Sequence, residues 1–170
     1  MSKGPIYEAA SNGDVEKLKQ LLKEKPADVD LAEAWSGWTP LIYAARHGKL
    51  EAVQFLVERK ATVDASDESS ATALTLACRS GHAETAAFLL DNGADINHSQ
   101  NGMTVMMQAV MSGQLTCVKL LRERKADAAL RATGGVYEGR TALEIAQERS
   151  ARDIVALLSP AVSKQQKVTC

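Results

Sequence analysis

A ten-residue phrase recurs along this 170-residue chain at nearly constant spacing: TPLIYAARHG from Thr39, TALTLACRSG from Thr72, TVMMQAVMSG from Thr104 and TALEIAQERS from Thr141. Successive starts lie 33, 32 and 37 residues apart. Each phrase is followed by a second apolar pattern: LEAVQFLV from Leu50, AETAAFLL from Ala83, LTCVKLL from Leu115 and ARDIVALL from Ala151. An earlier copy, IYEAASNGDVEKLKQLL, begins at Ile6, with its Gly13 35 residues before Gly48. A period in the range of about 20–50 residues marks stacked supersecondary units, each too small to bury its own apolar face. A non-repetitive helical bundle would not hold the phase through four junctions. The repeats divide the chain at about 5–37, 38–70, 71–102, 103–139 and 140–159, giving a single domain over 1–159 and a polar tail, 160–170, expected to be mobile.

Each unit reads as two short helices. Thr39, Thr72, Thr104 and Thr141 stand where an N-cap hydroxyl accepts from an orphan amide, and Pro40 fits the first helical position, where its missing N–H costs nothing. The following small-residue stretch, carrying Ala44 and Ala45, Ala77, Ala109 or Ala146, ends at Gly13, Gly48, Gly81 or Gly113, where glycine closes a helix in left-handed geometry. A second helix has apolar residues at helical spacing, such as Val53, Leu56 and Val57. Ala61–Asp64 and Ala94–Asn97 then lead into polar turns. Aromatic residues make up only 4% of the chain and alanine is abundant, which suits closely approaching helices better than a β-sandwich.

Charge and cysteine usage narrow the function. Lys and Arg number 20 against 21 Asp and Glu, a net charge of −1, so the broad positive field of a nucleic-acid or anionic-membrane binder is missing. No run approaches the roughly 18 apolar residues of a membrane span. The three cysteines Cys78, Cys117 and Cys170 are odd in number and form no C-x-x-C pair, which argues against a disulfide framework and points to a cytoplasmic or nuclear protein. Cys78 and Cys117 are expected to be small buried hydrophobes, and Cys170 an accessible thiol. His47, His82 and His98 fall in different parts of their repeats, and H-E-x-x-H, G-x-x-x-x-G-K-[ST] and G-x-S-x-G are all absent. We therefore expect no catalytic site, metal or cofactor.

The segments Thr39-Pro40-Leu41, Leu74, Gly81, Leu89-Leu90 and Gly93-Ala94-Asp95-Ile96-Asn97 resemble the ankyrin-repeat family. The resemblance covers nearly the whole chain and implies an all-α solenoid of five helix-turn-helix units with protruding turns. Two departures matter. The histidine usual after T-P-L is replaced by Ile42, Thr75, Met107 and Glu144, so the polar network between repeats should be reduced. After the second helix only Gly93 supplies the usual glycine; Lys60 and Lys125 stand at the equivalent places. Leu89, Asp95, Ile96 and Asn97 also resemble the pattern of asparaginyl hydroxylation, with Asn97 as acceptor, against the simpler reading that Asn97 closes its turn.

The same resemblance implies a concave face on which turn tips and first helices bind a partner protein. It places Trp35, Trp38, Glu68, Gln100, Asn101, Met103 and Tyr137 on turns, and Tyr43, Arg46, His47, Arg79 and Met111 on first helices. Trp and Arg are enriched at binding hot spots, and both tryptophans fall on one turn. The acidic turn residues Asp30, Glu33, Asp64, Asp67 and Glu68 suggest a partner of mixed charge. The expected function is non-catalytic recognition of another protein by a monomer acting as adaptor, scaffold or inhibitor. One alternative is a nucleotide sensor that stacks a base on Trp38 and holds phosphate with Arg46 or Arg79; another is self-association through the concave face. The connector before Thr141, with Gly134, Gly135 and Tyr137, is longer than its counterparts and is a second candidate for contact.

Overall fold

A computed structural model describes the protein over residues 4–159. Cys170 and the rest of the 160–170 tail lie outside the described residues. Five helix pairs follow one another: α1 (Pro5–Asn12) with α2 (Val15–Glu24), α3 (Pro40–Arg46) with α4 (Leu50–Glu58), α5 (Ala73–Ser80) with α6 (Ala83–Asp91), α7 (Val105–Met111) with α8 (Leu115–Glu123), and α9 (Ala142–Glu148) with α10 (Arg152–Leu158). Among the described residues the one sheet is a two-stranded antiparallel ribbon, β1 (Ser99–Gln100) with β2 (Met103–Thr104), in which Gln100 faces Met103. The architecture is the expected all-α stack.

Helices of seven to ten residues are marginal alone, so stacking must supply their stability. First helices pack side by side, α1 on α3, α3 on α5, α5 on α7 and α7 on α9, while each second helix packs on its own first helix. Leu41, Leu56, Leu74, Leu89, Met106 and Leu121 fill the space between the two rows and are fully buried.

The expected caps are all present. Thr39, Thr72, Thr104 and Thr141 each accept a hydrogen bond from the amide three residues on, and Thr141 with Glu144 closes a reciprocal capping box. At the other end, the amides of Asp14, Lys49, His82, Gln114 and Ala151 reach back to the carbonyls of Ala9, Ala44, Ala77, Ala109 and Ala146. Those five alanines occupy one position in five repeats and are all buried, which lets neighbouring first helices approach closely. The bond needs a left-handed residue just before its donor. Gly13, Gly48, Gly81 and Gly113 provide it, and Ser150, which the sequence reading did not single out, adopts it in the last repeat with φ 55°.

Where family histidines are replaced, the polar contacts become local or vanish. Thr72 and Thr75 pair their hydroxyls at 3.0 Å, whereas Ile42 and Met107 are buried apolar groups.

Lys60 and Lys125 are left-handed, with φ 70° and 62°, as the missing glycines require. Each allows the next alanine amide to reach a leucine carbonyl, Ala61 to Leu56 and Ala126 to Leu121. Releasing the Cβ strain outweighs the extra freedom glycine gives the unfolded chain, so Lys60→Gly and Lys125→Gly should each add about 0.5–1 kcal/mol. Urea unfolding of the single and double variants checks both the gain and its additivity.

Candidate functional site

The turn between the first two repeats is held by a buried carboxylate. Glu33 is 5% exposed and accepts hydrogen bonds from the Tyr43 hydroxyl and, at 2.6 Å, from Ser36 Oγ. Its backbone amide donates to the Trp38 carbonyl and its carbonyl accepts from Gly37. Gly37 has φ 69°, which turns the chain back toward α3. Burial, together with the hydrogen bond to Glu33, pushes the Tyr43 phenol above its ordinary pKa, so it stays a proton donor.

Trp38 is clamped from three sides. Its Nε1 donates to Asp67 Oδ2 at 2.7 Å across the repeat junction. The Tyr43 ring meets it edge-on at 5.1 Å, and the Arg46 guanidinium lies over it, 4.9 Å from the ring centroid. Trp35, by contrast, is 72% exposed. Together Trp35, Ser36, Trp38, Tyr43, Arg46 and His47 line a cleft of about 300 Å³. His47 Nδ1 donates to the Tyr43 carbonyl at 2.9 Å, which fixes its ring at the helix end. His82, from the next repeat, donates from Nε2 to the Arg46 carbonyl at 3.1 Å, so the neighbour anchors the Arg46 backbone. A cleft of about 340 Å³ between the starts of α4, α6 and α8 carries no Trp, Tyr or Phe, and the His82 that lines it is already committed to Arg46.

Several expected contact residues need correction. Tyr43 is 2% exposed and Gln100 is 5% exposed. Tyr43 forms the floor of the cleft rather than its rim, and the Gln100 amide donates from Nε2 to Ser69 Oγ inside the turn. The acidic turns are also less available than the sequence suggests. Asp30 accepts from the Thr62 amide and hydroxyl, and Asp64 from the Asp95 amide. Asp67 accepts from Ser69, Ala71 and Trp38. Only Glu68 of the acidic set is left exposed without a partner among the described residues. Asn97 repeats the role of Asp30 and Asp64: its Oδ1 accepts from the Asp127 amide at 2.9 Å, one repeat further on.

Apart from Arg46 and His47, which line the cleft, the remaining candidates lie outside it. Arg46, His47, Arg79 and Asn101 are exposed, while Met103, Met111 and Tyr137 are half-buried and pack on the core. Tyr137 belongs to a short 3₁₀ turn, Gly135–Tyr137, whose Val136 is 95% exposed. Cys78 and Cys117 are buried free thiols. The thiol–thiol hydrogen bond with Cys117, together with burial, pushes the Cys78 thiol upward. Sequence reasoning reads Glu33 and Asp67 as turn acids facing a partner and misses the hydrogen bonds that engage them. The signal was present: a carboxylate (Glu33, Asp67) opens the turns before Thr39 and Thr72, six and five residues ahead of the capping threonine.

Asp67 gives the site a pH signature. Burial raises its pKa, but the Ala71 amide, the Ser69 hydroxyl and amide and the Trp38 indole outweigh it, so the net shift is downward. A carboxyl lowered on folding stabilises the protein above its unfolded value of roughly 4, and that stability is lost as the pH falls through the folded value. Asp67→Asn should therefore flatten the acid limb of the stability curve below about pH 4. Tryptophan fluorescence during acid titration checks it.

A family model described as "Ankyrin repeats (3 copies)" matches residues 6–100 and 95–168. The chain belongs to the ankyrin-repeat family. Similar regions occur in much longer proteins. Mouse ankyrin repeat and SAM domain-containing protein 6 is 32% identical over 130 residues, covering 76% of this chain and 11% of its own. The E3 ubiquitin-protein ligase XBAT32 of Arabidopsis thaliana is 36% identical over 118 residues, 68% of this chain and 23% of its own. The human NAD-capped RNA hydrolase NUDT12 is 39% identical over 69 residues, 41% of this chain and 15% of its own. The chain thus spans less than a quarter of these relatives. Ankyrin repeats generally mediate protein–protein interaction. Among the described residues no helix is long and apolar enough to cross a membrane, and no three His, Cys, Asp or Glu side chains converge to hold a metal ion.

Proposed function

We propose that this ankyrin-repeat protein is a non-catalytic adaptor, scaffold or inhibitor whose monomer grips a partner protein at the Trp35–Trp38 turn and the adjoining first helices. The observation that carries this reading is an indole left 72% in water beside a second indole fixed by Asp67, Tyr43 and Arg46. A rigid aromatic platform next to an exposed aromatic anchor loses little conformational freedom on binding, which is how hot spots concentrate affinity. The activities in the names of the hydrolase and the ligase belong to proteins that align here only over their repeats, so neither is carried over. The two buried free thiols accord with the proposed cytoplasmic or nuclear setting.

The nucleotide-sensor alternative is disfavoured by the same geometry. One face of Trp38 is already covered by Arg46, one of the two arginines offered for the phosphate, which leaves less of the indole for a base.

The test is quantitative capture from source lysate with four baits: wild type, Trp35→Ala, Arg46→Glu and, on the outer face of α4, Glu58→Lys. The captured protein is then purified and its affinity for each bait measured. The reading expects weaker binding by the Trp35 and Arg46 variants and unchanged binding by the Glu58 variant. Equal affinity for all four removes the function from this face.

A further inference from the structure

We propose that the cleft takes an acidic peptide segment with an apolar anchor: the apolar side chain seats against Trp35 and Trp38, and two carboxylates reach Arg46 and Arg79. This rests on the concave face being the recognition surface and adds the chemistry of what it recognises. Five ion pairs form among the described residues, and none includes Arg46 or Arg79, although both are exposed. The acids that would neutralise them are engaged elsewhere, Glu33 with Tyr43 and Ser36, Asp67 with Trp38, Ser69 and Ala71. What the sequence presents as mixed charge is, on the folded surface, a pair of unpaired guanidinium groups with Glu68 as the exposed acid at the turn tip.

Geometry adds to charge. The Arg46 guanidinium lies over Trp38, 4.9 Å from the ring centroid, is exposed and forms no ion pair, so its N–H groups are available to a carboxylate. Arg79 occupies the same position one repeat along, on α5, which packs directly against α3. Packed helix axes lie about 8–10 Å apart, and an extended chain advances about 3.3 Å per residue, so carboxylates three residues apart match the two arginines. A nucleic acid fits less well. Two arginines on a chain of net charge −1 are far from the basic stripe that tracks a phosphate backbone.

The test is selection of a random twelve-residue peptide library on the immobilised full chain, followed by affinity measurement with a synthesised consensus peptide. We expect enriched sequences with Asp or Glu about three residues apart and an aromatic or aliphatic residue beside them. The consensus should bind Arg46→Glu/Arg79→Glu about 30-fold more weakly and Trp35→Ala about tenfold more weakly. Arg46→Gln/Arg79→Gln serves as a milder second variant, with melting temperature as the control for folding. Peptides that need Trp35 but carry no carboxylates, or that bind both arginine variants unchanged, overturn the acidic partner and leave the recognition face standing. Peptides indifferent to Trp35 and both arginines overturn the face as well. Failure to enrich any sequence, or tighter binding of a short oligothymidine than of the consensus peptide, overturns the proposal.

Discussion

Replacing Glu33 by alanine is expected to destabilise the protein by about 3 kcal/mol, close to the cost of removing one partner of a buried, hydrogen-bonded charge. The carboxylate lies beneath the cleft and holds Tyr43 and Ser36. Its loss leaves the Tyr43 hydroxyl in a site built for a charged acceptor and frees the Trp35–Trp38 turn from α3. Trp35→Ala is the contrast: a side chain 72% exposed contributes little to folding, so this change should move stability by less than about 0.5 kcal/mol. Urea denaturation of both variants separates the two roles. Equal effects would mean that the floor and the rim of the cleft are not energetically distinct.

The second large effect is expected at Gly102, in the turn joining β1 to β2. Its φ is 77°, and an added Cβ would sit 2.8 Å from the Gly134 amide nitrogen and 2.9 Å from Thr133 Oγ1. The Gly134 contact is backbone, so no side-chain rotation relieves it. The Gly102 carbonyl also accepts from the Thr133 amide at 2.8 Å, tying the long connector to the preceding turn. Gly102→Ala should cost about 2–4 kcal/mol, from left-handed strain plus the displaced backbone, and should loosen the segment that carries Val136 and Tyr137. Gly135→Ala is the control. Gly135 has φ 74° but nothing within 4 Å of an added Cβ, so only the conformational cost of about 1 kcal/mol remains. Thermal unfolding of the pair, with hydrogen exchange across 132–140, checks both effects.

What was legible in the sequence was whatever a repeat must do locally. A threonine before a helix, an alanine four residues before a left-handed position, and a lysine where glycine is usual all act within a turn or two of chain. Their spacing is therefore enough to place them, even at Lys60 and Lys125. The condition of the cleft was harder to read because it depends on which repeat supplies each partner. Trp38 is fixed by Asp67, 29 residues away, and the Arg46 carbonyl by His82, 36 residues away. Nothing in the order of residues separates an acid facing solvent from one closing a turn, so Glu33 and Asp67 read as surface charge. The carboxylate at the head of the first two turns was a usable clue, but its meaning emerges only when two turns lie side by side.

One such cross-repeat feature reaches beyond the site. Asp30 binds the amide of Thr62, Asp64 that of Asp95, and Asn97 that of Asp127, so three successive junctions carry the same polar stitch. With small alanines setting how near the first helices lie, these stitches fix the angle between consecutive units. A guest that needs the hollow to open or tighten must work against every stitch it strains. At the proposed site, the stiffness felt at the tryptophans is then set by residues outside the cleft, and softening a single stitch would alter the grip without altering any group in the cleft.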